Sequence, residues 1–260
     1  MGMLIRISFI ISILIFIFSI LGFFVFKFFP HLTANVSSLI PFFIKFGAIG
    51  FTLSTIICSF IISVNCFGFF RMLLLFSISF LTSLTMELSS TYNGFPFGNY
   101  KYTDFLGYKI LNEVTIIIPL SWFSIVSLSY LIVKRLLFNG FSLIIVSTLF
   151  GFFWDLSLDF AMTKTYPFWY WIDKGFLYDM PIRNWGGWLF TLFIINFVFY
   201  VLSGNSSERY SKYVFYLYLL IVGFSVLMSL LGGGIVPFVF GVLGILIIIS
   251  ISMIRNVKLW

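Results

Sequence analysis

The sequence predicts an all-α, polytopic transmembrane helix bundle that forms a single integral membrane domain over residues 1–260. Three observations lead to this prediction. The chain is 61% hydrophobic and only 9% charged, whereas an ordinary soluble domain carries about 25% charged residues. Its apolar segments approach the roughly 20 residues that cross a bilayer core. They lack the period-2 alternation of a membrane β-barrel, so helices must satisfy the backbone groups in lipid.

Eight apolar segments are long enough, or nearly so, to span a membrane. The sixth is short, and only Gly232, Gly233 and Gly234 separate the last two. A glycine run of this kind is typical of a turn between helices. A seven-span arrangement, in which the final pair is partly re-entrant, is the alternative. The predicted spans are 7–26, 42–64, 69–87, 114–133, 140–160, 187–202, 213–231 and 235–254.

Two long polar loops, 88–113 and 161–186, interrupt the apolar segments. The fourth and fifth spans separate them, and because that number is even, the loops are expected on one side of the membrane. Seven of the eight acidic residues lie in or beside these loops, which makes them the predicted region of a functional site. These residues are Glu87, Asp104, Glu113, Asp155, Asp159, Asp173 and Asp179.

The formal net charge of +7 does not indicate a nucleic-acid partner. The basic residues are scattered at the ends of the apolar segments and form no continuous patch. Short loops and tails on the side of both termini carry Lys and Arg, as the positive-inside rule expects of a cytoplasmic side. We therefore expect a multi-pass protein of the cell (inner) membrane, with both termini in the cytoplasm.

The residues that the chain lacks restrict its chemistry. His31 is the only histidine, and Cys58 and Cys66 are the only cysteines. This excludes a His-rich di-iron centre and disfavours a zinc site with His or Cys ligands. No Gly-rich loop follows a predicted strand, so a dinucleotide fold is not expected. The sequence predicts no metal and no cofactor, which leaves the chemistry of carboxylates, tyrosine and tryptophan.

Asp155 and Asp159 stand four residues apart at the end of the fifth predicted span. On a helix they share one face, with Cβ atoms about 6 Å apart. Two carboxylates in a poorly hydrated site titrate as a pair and can hold a proton for general acid catalysis. Glu87, predicted to follow the third span, is a candidate third acid or water positioner. The alternatives are salt bridges of the aspartates with Lys164 or Arg183, and headgroup water around Glu87.

Aromatic residues crowd the same loops. Tyr100 and Tyr102 lie in the first loop, and Trp169 and Trp171 lie in the second. Rings at these positions are typical of the aromatic belt at a membrane interface. They would equally suit a pocket whose ring faces stabilise a carbocation. The sequence alone leaves both interpretations open.

Acidic, aromatic and turn residues recur in a specific order along the two loops and the neighbouring spans: Glu87, Gly94, Pro96, Phe97, Gly98, Tyr100, Tyr102, Pro119, Trp122, Asp155, Asp159, Trp169, Trp171, Pro181, Asn184, Gly187 and Trp188. This order resembles the family of membrane carotenoid biosynthesis proteins that includes the carotenoid 1,2-hydratases and the bisanhydrobacterioruberin hydratases. The similarity covers about 87–190. Departures fall at turn positions: Phe160 stands where a Pro is common, and Asp179-Met180-Pro181 stands where Gly-Val-Pro is common.

The resemblance implies addition of water across a terminal isopropylidene double bond of an acyclic or monocyclic carotenoid. The implied partners are this lipid-soluble substrate, the bilayer and other enzymes of the carotenoid pathway. A carotenoid or lipid binder, a transporter, or another isoprenoid-lipid enzyme such as an isomerase is the alternative. The candidate catalytic residues are Asp155, Asp159 and Glu87. The candidate substrate-binding residues are Tyr100, Tyr102, Trp122, Trp169, Trp171, Asn184 and Trp188.

Overall fold

The computed structural model describes residues 1–204 and 208–260, and within them eight helical segments are long and apolar enough to cross a membrane. Helix α1 (Gly2–Phe28) forms the first. The second combines α2 (Pro30–Thr33), a 3-10 segment (Ala34–Leu39) and α3 (Ile40–Phe67). The other six are α4 (Phe69–Asn93), α5 (Ile117–Arg135), α6 (Gly140–Phe160, continued by a π-helical turn, Ala161–Thr165), α7 (Ile182–Ser203), α8 (Tyr213–Gly232) and α9 (Ile235–Ile254).

The C-terminal tail lies on the same face of the bundle as the connections α5–α6 and α7–α8. The Arg255 guanidinium donates to the carbonyl of Leu136 over 3.1 Å, and the Tyr210 hydroxyl donates to the carbonyl of Leu259 over 3.0 Å. Helix α9 therefore crosses the whole bundle, so the eight-span prediction is confirmed and the seven-span alternative is wrong.

The predicted glycine turn joins α8 to α9. Gly233 has φ +92°, a left-handed conformation that ends α8 and that most side chains resist. A Cβ on Gly234 would come within 2.5 Å of the Phe160 ring, so this turn can pack directly against the end of α6. The turn consequently lies beside the helix that carries both candidate aspartates.

Helix α5 occupies the centre of the bundle and is the most buried of the spans. It packs against α3, α4, α6 and α8, while α1 lies at the periphery against α3 and α8. Serines on α5 have small side chains, so the neighbouring helices can approach its backbone closely. Such close packing matters in a membrane, where burial of apolar surface alone does not drive helix association. Four such serines are Ser121, Ser124, Ser127 and Ser129.

Several predicted span limits differ from the structure, and three of them lie beside the site. Helix α4 continues to Asn93, so Glu87 lies inside the helix and not after it. The polar residues after Glu87 lower the hydropathy, but Ser and Thr hydroxyls can bond back to the preceding turn, as Thr91 does to the Leu88 carbonyl over 3.0 Å. The fourth span begins at Ile117 and not at 114, and α7 begins at Ile182 and not at 187.

The two polar loops meet through short strands on one face of the bundle. Strand β1 (Tyr100–Tyr102) pairs antiparallel with β4 (Trp169–Trp171). Within the first loop, β2 (Lys109–Ile110) pairs with β3 (Val114–Thr115). The β1–β4 pair covers the ends of α4, α5 and α6, and it brings two segments together that lie about 70 residues apart in the sequence.

Candidate active site

The β1–β4 pair turns four aromatic side chains toward the helices. Successive residues of a strand point to opposite faces, and here the first and third residues of each strand are buried while the middle ones, Lys101 and Tyr170, are exposed. Tyr100 lies opposite Trp171, and Tyr102 lies opposite Trp169. The Tyr100 ring meets the Trp171 ring edge to face, with centroids 5.1 Å apart.

Glu87 accepts hydrogen bonds from three of the aromatic residues around it. Its Oε2 accepts from the hydroxyls of Tyr100 and, over 2.7 Å, of Tyr102. Its Oε1 accepts from the Trp122 indole Nε1 over 3.1 Å. The side chain is only 4% exposed. Glu87 is thus a buried carboxylate that accepts from three donors, and the alternative of headgroup water around it is wrong.

The two tyrosine hydroxyls remain protonated under ordinary conditions. Burial, followed by the nearby charge of Glu87, holds the pKa of Tyr100 and the pKa of Tyr102 well above their usual range. Each hydroxyl can therefore serve as a lasting hydrogen-bond donor to the Glu87 carboxylate.

Asp159 lies on α6 and receives one indole on each of its oxygens. Trp169 Nε1 donates to Oδ1 and Trp171 Nε1 donates to Oδ2, both over 3.1 Å. An indole N–H can only donate, so both bonds stabilise negative charge on this carboxylate. Because the two tryptophans are alternate residues of β4, a single short strand supplies both donors.

Asp155 lies one helical turn before Asp159 and is 1% exposed. Its Oδ2 accepts a long hydrogen bond, 3.4 Å, from the Asn184 amide in the first turn of α7. The Asn184 amide also lies 3.3 Å from the Met180 sulfur. The salt bridges considered for the aspartates are absent from the described residues, because Lys164 pairs with Asp179 and Arg183 lies 3.9 Å from Asp173.

Glu87 and Asp159 border one cavity with an empty volume of about 390 Å³, whereas Asp155 lies outside its lining. Tryptophan rings form much of the wall. Trp122 and Trp188 stack with centroids 4.0 Å apart, and Trp154 meets Trp188 edge to face at 5.8 Å. The cavity therefore combines two buried carboxylates with several aromatic surfaces and very little other polar surface.

A close approach of the first loop to α7 shapes this cavity. A Cβ on Gly187 would come within 2.5 Å of the Phe97 ring and within 3.0 Å of the Pro96 backbone. The absent side chain lets Phe97 pack over the site, where its ring lies 6.0 Å from that of Trp122.

A second, apolar cavity of about 630 Å³ adjoins the first and extends among α3, α5, α6 and α8. Deeper lining includes Phe51 on α3 and Phe224 on α8, whose rings stack with centroids 4.3 Å apart. The site therefore has a polar end beside the loops and an apolar end between the helices. The residues that line both cavities are Ile118, Ser121, Trp154, Leu158 and Trp169.

The structure brings together nearly all the candidate site residues from the sequence. Glu87, Asp159 and the seven proposed substrate-binding residues line the acidic cavity, and Asp155 joins it indirectly through Asn184. The belt interpretation fits Tyr170, which is 53% exposed, but not its two tryptophan neighbours. The candidate site lacked five residues that line this cavity. Two of them carried a signal, Phe97 as part of the family motif and Trp154 as a tryptophan adjacent to Asp155. The five are Phe97, Ile118, Ser121, Trp154 and Leu158.

Asp173 connects the two polar loops through hydrogen bonds at the edge of the β1–β4 pair. Its carboxylate accepts from the Asn99 backbone N–H over 2.8 Å and from the Asn99 side-chain amide over 3.1 Å. The Asn99 carbonyl in turn accepts from the backbone N–H of Ile172 over 2.9 Å. The hydrogen bonds from Asn99 lower the pKa of Asp173 below its ordinary value of 3.8. This stabilisation is present at neutral pH and is lost as pH falls through the folded-state pKa.

We expect Asp173→Ala to loosen the β1–β4 pair by about 1 kcal/mol, which corresponds to roughly fivefold faster amide exchange of the strands. Hydrogen–deuterium exchange at neutral pH measures this directly. Asp104→Ala is the matched control, because Asp104 is exposed and pairs with Lys109 inside the first loop. Equal exchange of β1 and β4 in the two variants would show that Asp173 does not hold the loops together.

The fold and the site define a class of polytopic membrane proteins that enclose buried carboxylates in an aromatic cavity joined to an apolar one. A family model described as carotenoid biosynthesis protein matches residues 46–248. The match covers most of the chain, which therefore belongs to this family and has a role in carotenoid biosynthesis. Comparisons with the curated proteins and with the solved structures gave no match.

Proposed function

We propose that the protein is a carotenoid hydratase that adds water across a terminal isopropylidene double bond of an acyclic or monocyclic carotenoid. One observation carries the proposal: Asp159 and Glu87 border the same aromatic cavity, and that cavity adjoins an apolar one among the helices. Addition of water needs two groups close to the same double bond, one that donates a proton and one that directs a water molecule. A chain end seated between the two carboxylates would meet both requirements.

Asp159 is the proposed proton donor. With Asp155 one turn away, two carboxylates share a dry environment, and like charges held this close can keep one proton between them. The proton adds to the less substituted alkene carbon, and the π electrons form the new C–H bond. The two indole N–H groups on Asp159 then stabilise the carboxylate that the transfer creates, as donors aimed at developing charge do.

The resulting tertiary cation lies among aromatic rings. The faces of tryptophan rings attract cations, by about 2 kcal/mol or more where water is excluded. Trp122, Trp154 and Trp188 line the cavity, and the Trp188 ring contacts the rings of the other two. The rings suit a positive carbon, and the residues that line this cavity include no Lys, Arg or His.

Water capture completes the reaction. Glu87, held by three donors, is the proposed base that orients a water and accepts its proton as the oxygen bonds to the cation. The sum is one alkene plus one water giving one tertiary alcohol. The site is restored when a proton returns from Glu87 to Asp159. The reaction is redox-neutral, so it requires no nicotinamide, and because the proposed acid and base are both carboxylates it requires no metal.

The product of this reaction is testable in cells that make lycopene. We expect a pigment heavier than the substrate by one water, formed without oxygen and in the presence of a chelator. Labelled water should leave its oxygen in the new hydroxyl, and solvent deuterium should appear on the neighbouring carbon. Mass spectrometry of the pigments measures all three results.

Other label patterns would support other functions. Label arriving from O₂ would identify an oxygenase. Deuterium incorporation without a gain of water would identify an isomerase that uses the same protonation step. Unchanged pigment that co-purifies with the protein would favour a binding or transport role.

We also propose that the protein lies in the cell (inner) membrane with both termini in the cytoplasm. The face that carries the termini holds eight basic residues and the opposite face holds seven. The eight lie in short loops and tails, which are the segments that the positive-inside rule counts. The acidic site then lies toward the outer leaflet. Other enzymes of the carotenoid pathway are the proposed protein partners, since they would supply or consume a substrate that stays in the bilayer.

A further inference from the structure

A second polar cavity lies on the face of the bundle opposite the acidic site, and the proposed reaction does not use it. Its empty volume is about 630 Å³. It lies where α5 ends and where the chain returns toward α8. The lining residues are Leu131, Lys134, Arg135, Leu137, Glu208, Arg209 and Tyr210.

The one acidic residue of this cavity is already engaged by a neighbouring cation. Glu208 has a side chain only 3% exposed, and its Oε1 lies 3.0 Å from Arg71 Nη2. Its Oε2 lies 3.7 Å from Lys134 Nζ. The lining therefore carries one negative charge and three positive charges, from Lys134, Arg135 and Arg209. The cavity is electropositive.

The cations of the cavity retain donors for a ligand. Arg135 donates its Nε to the Lys258 carbonyl over 3.3 Å and lies over the Tyr210 ring at 5.2 Å. These contacts hold its guanidinium in place while using one of five N–H donors. The Arg209 side chain is exposed, and its backbone is anchored by a 3.1 Å bond from its N–H to the Cys66 carbonyl. The guanidinium groups of Arg135 and Arg209 thus both face this cavity from anchored positions.

The same cavity has an apolar side. Leu131 is buried, whereas Leu137 is 67% exposed at the end of the membrane-spanning segment. The positive-inside rule accounts for scattered basic residues on this face, but it does not account for three cations and two leucines around one cavity. The combination matches a ligand with an anionic head and apolar chains.

We propose that this cavity binds the phosphate of an anionic glycerophospholipid, with the acyl chains of the lipid along the exposed Leu137. Guanidinium groups bind phosphate oxygens through paired, charge-assisted hydrogen bonds, and lysine adds a point charge. Basic pockets between membrane helices are suited to such headgroups. The proposal is independent of the hydratase reaction, because no residue of the acidic site takes part in it.

The test is native mass spectrometry of the full-length protein released from nanodiscs of phosphatidylcholine containing phosphatidylglycerol. We expect selective retention of phosphatidylglycerol, reduced about fivefold for each cation removed. The variants are Arg209→Gln and the double variant Lys134→Gln with Arg209→Gln. The matched control removes two exposed cations of the opposite face, Lys45→Gln with Lys101→Gln, and should retain the lipid.

Two further measurements keep the proposal open to refutation. Arg209→Gln alters an exposed side chain, so its fold should survive, and Arg209→Lys should keep most of the retention because the charge remains. Equal retention in Arg209→Gln and in the control pair would overturn the proposal. So would inorganic phosphate that raises the melting temperature as much as phosphatidylglycerol does, because the site would then bind a free anion.

Discussion

Asp159→Asn is expected to lower the rate of pigment hydration by about 10²–10⁴-fold, the usual loss when a general acid is removed. The amide nearly matches the carboxyl in shape but has no proton of comparable acidity to deliver. Its NH₂ group would also face a donor-only indole, from Trp169 or Trp171, where the carboxylate oxygens now accept 3.1 Å bonds. The measurement is product formed per protein in lycopene-producing cells and in membranes.

The control for Asp159→Asn is Asp179→Asn, on the same face of the bundle. Asp179 is half-buried at the surface and pairs with Lys164 over 2.6 Å, and surface ion pairs contribute about 0–1 kcal/mol. Asp179→Asn should therefore leave the rate nearly unchanged. Asp155→Asn should also impair turnover, since Asp155 is the proposed sharer of the proton. Near-normal rates in both aspartate variants would remove the acid role from α6.

Glu87→Gln is expected to reduce the rate by at least about 10²-fold, because the proposed base can no longer accept the proton of water. Structural damage should be limited. The hydroxyls of Tyr100 and Tyr102 can rotate to accept from the new NH₂ group, whereas the Trp122 indole still needs the remaining oxygen. A poorly matched buried donor would cost about 1–3 kcal/mol, so membrane-inserted protein is quantified beside the rate.

Two further variants separate the base role from a purely structural one. Asp104→Asn removes an exposed carboxylate of the first polar loop and should leave the rate unchanged. Tyr102→Phe removes one donor of Glu87 but keeps the base, so we expect a smaller loss than for Glu87→Gln. A folded Glu87→Gln protein that hydrates pigment normally would assign water capture to another group.

Much of the candidate site could be predicted because acids are rare in this chain. In a membrane protein of 9% charged residues, a carboxylate near a span carries a high cost unless it is hydrated, paired or bonded. Asp155 and Asp159 share a face by helical geometry alone, and the structure keeps both on α6. The limit of α4 could not be predicted in the same way, because hydropathy falls before the helix ends at Asn93.

The hydrogen-bond partners of each carboxylate could not be predicted from the sequence. Tyr100 and Trp171 lie far apart along the chain, and the strand pairing that sets them opposite one another depends on three-residue strands with no strong local signal. The cavity wall formed by Trp154, Ser121 and Leu158 depends on how α5 and α6 pack. Residues of this kind are indistinguishable in sequence from ordinary bundle packing.

The sequence by itself determined that much of this protein lies in lipid, predicted about eight spans and indicated that the acids gather on one side of the membrane, because hydrophobic length and span parity follow from local composition. Only the tertiary structure decided that Glu87 and Asp159 border one cavity, that aromatic donors surround both, and that Asp155 lies outside its lining. The physical reason is that hydrogen bonds and ring contacts between distant segments depend on angstrom-scale packing, which periodicity and hydropathy do not specify.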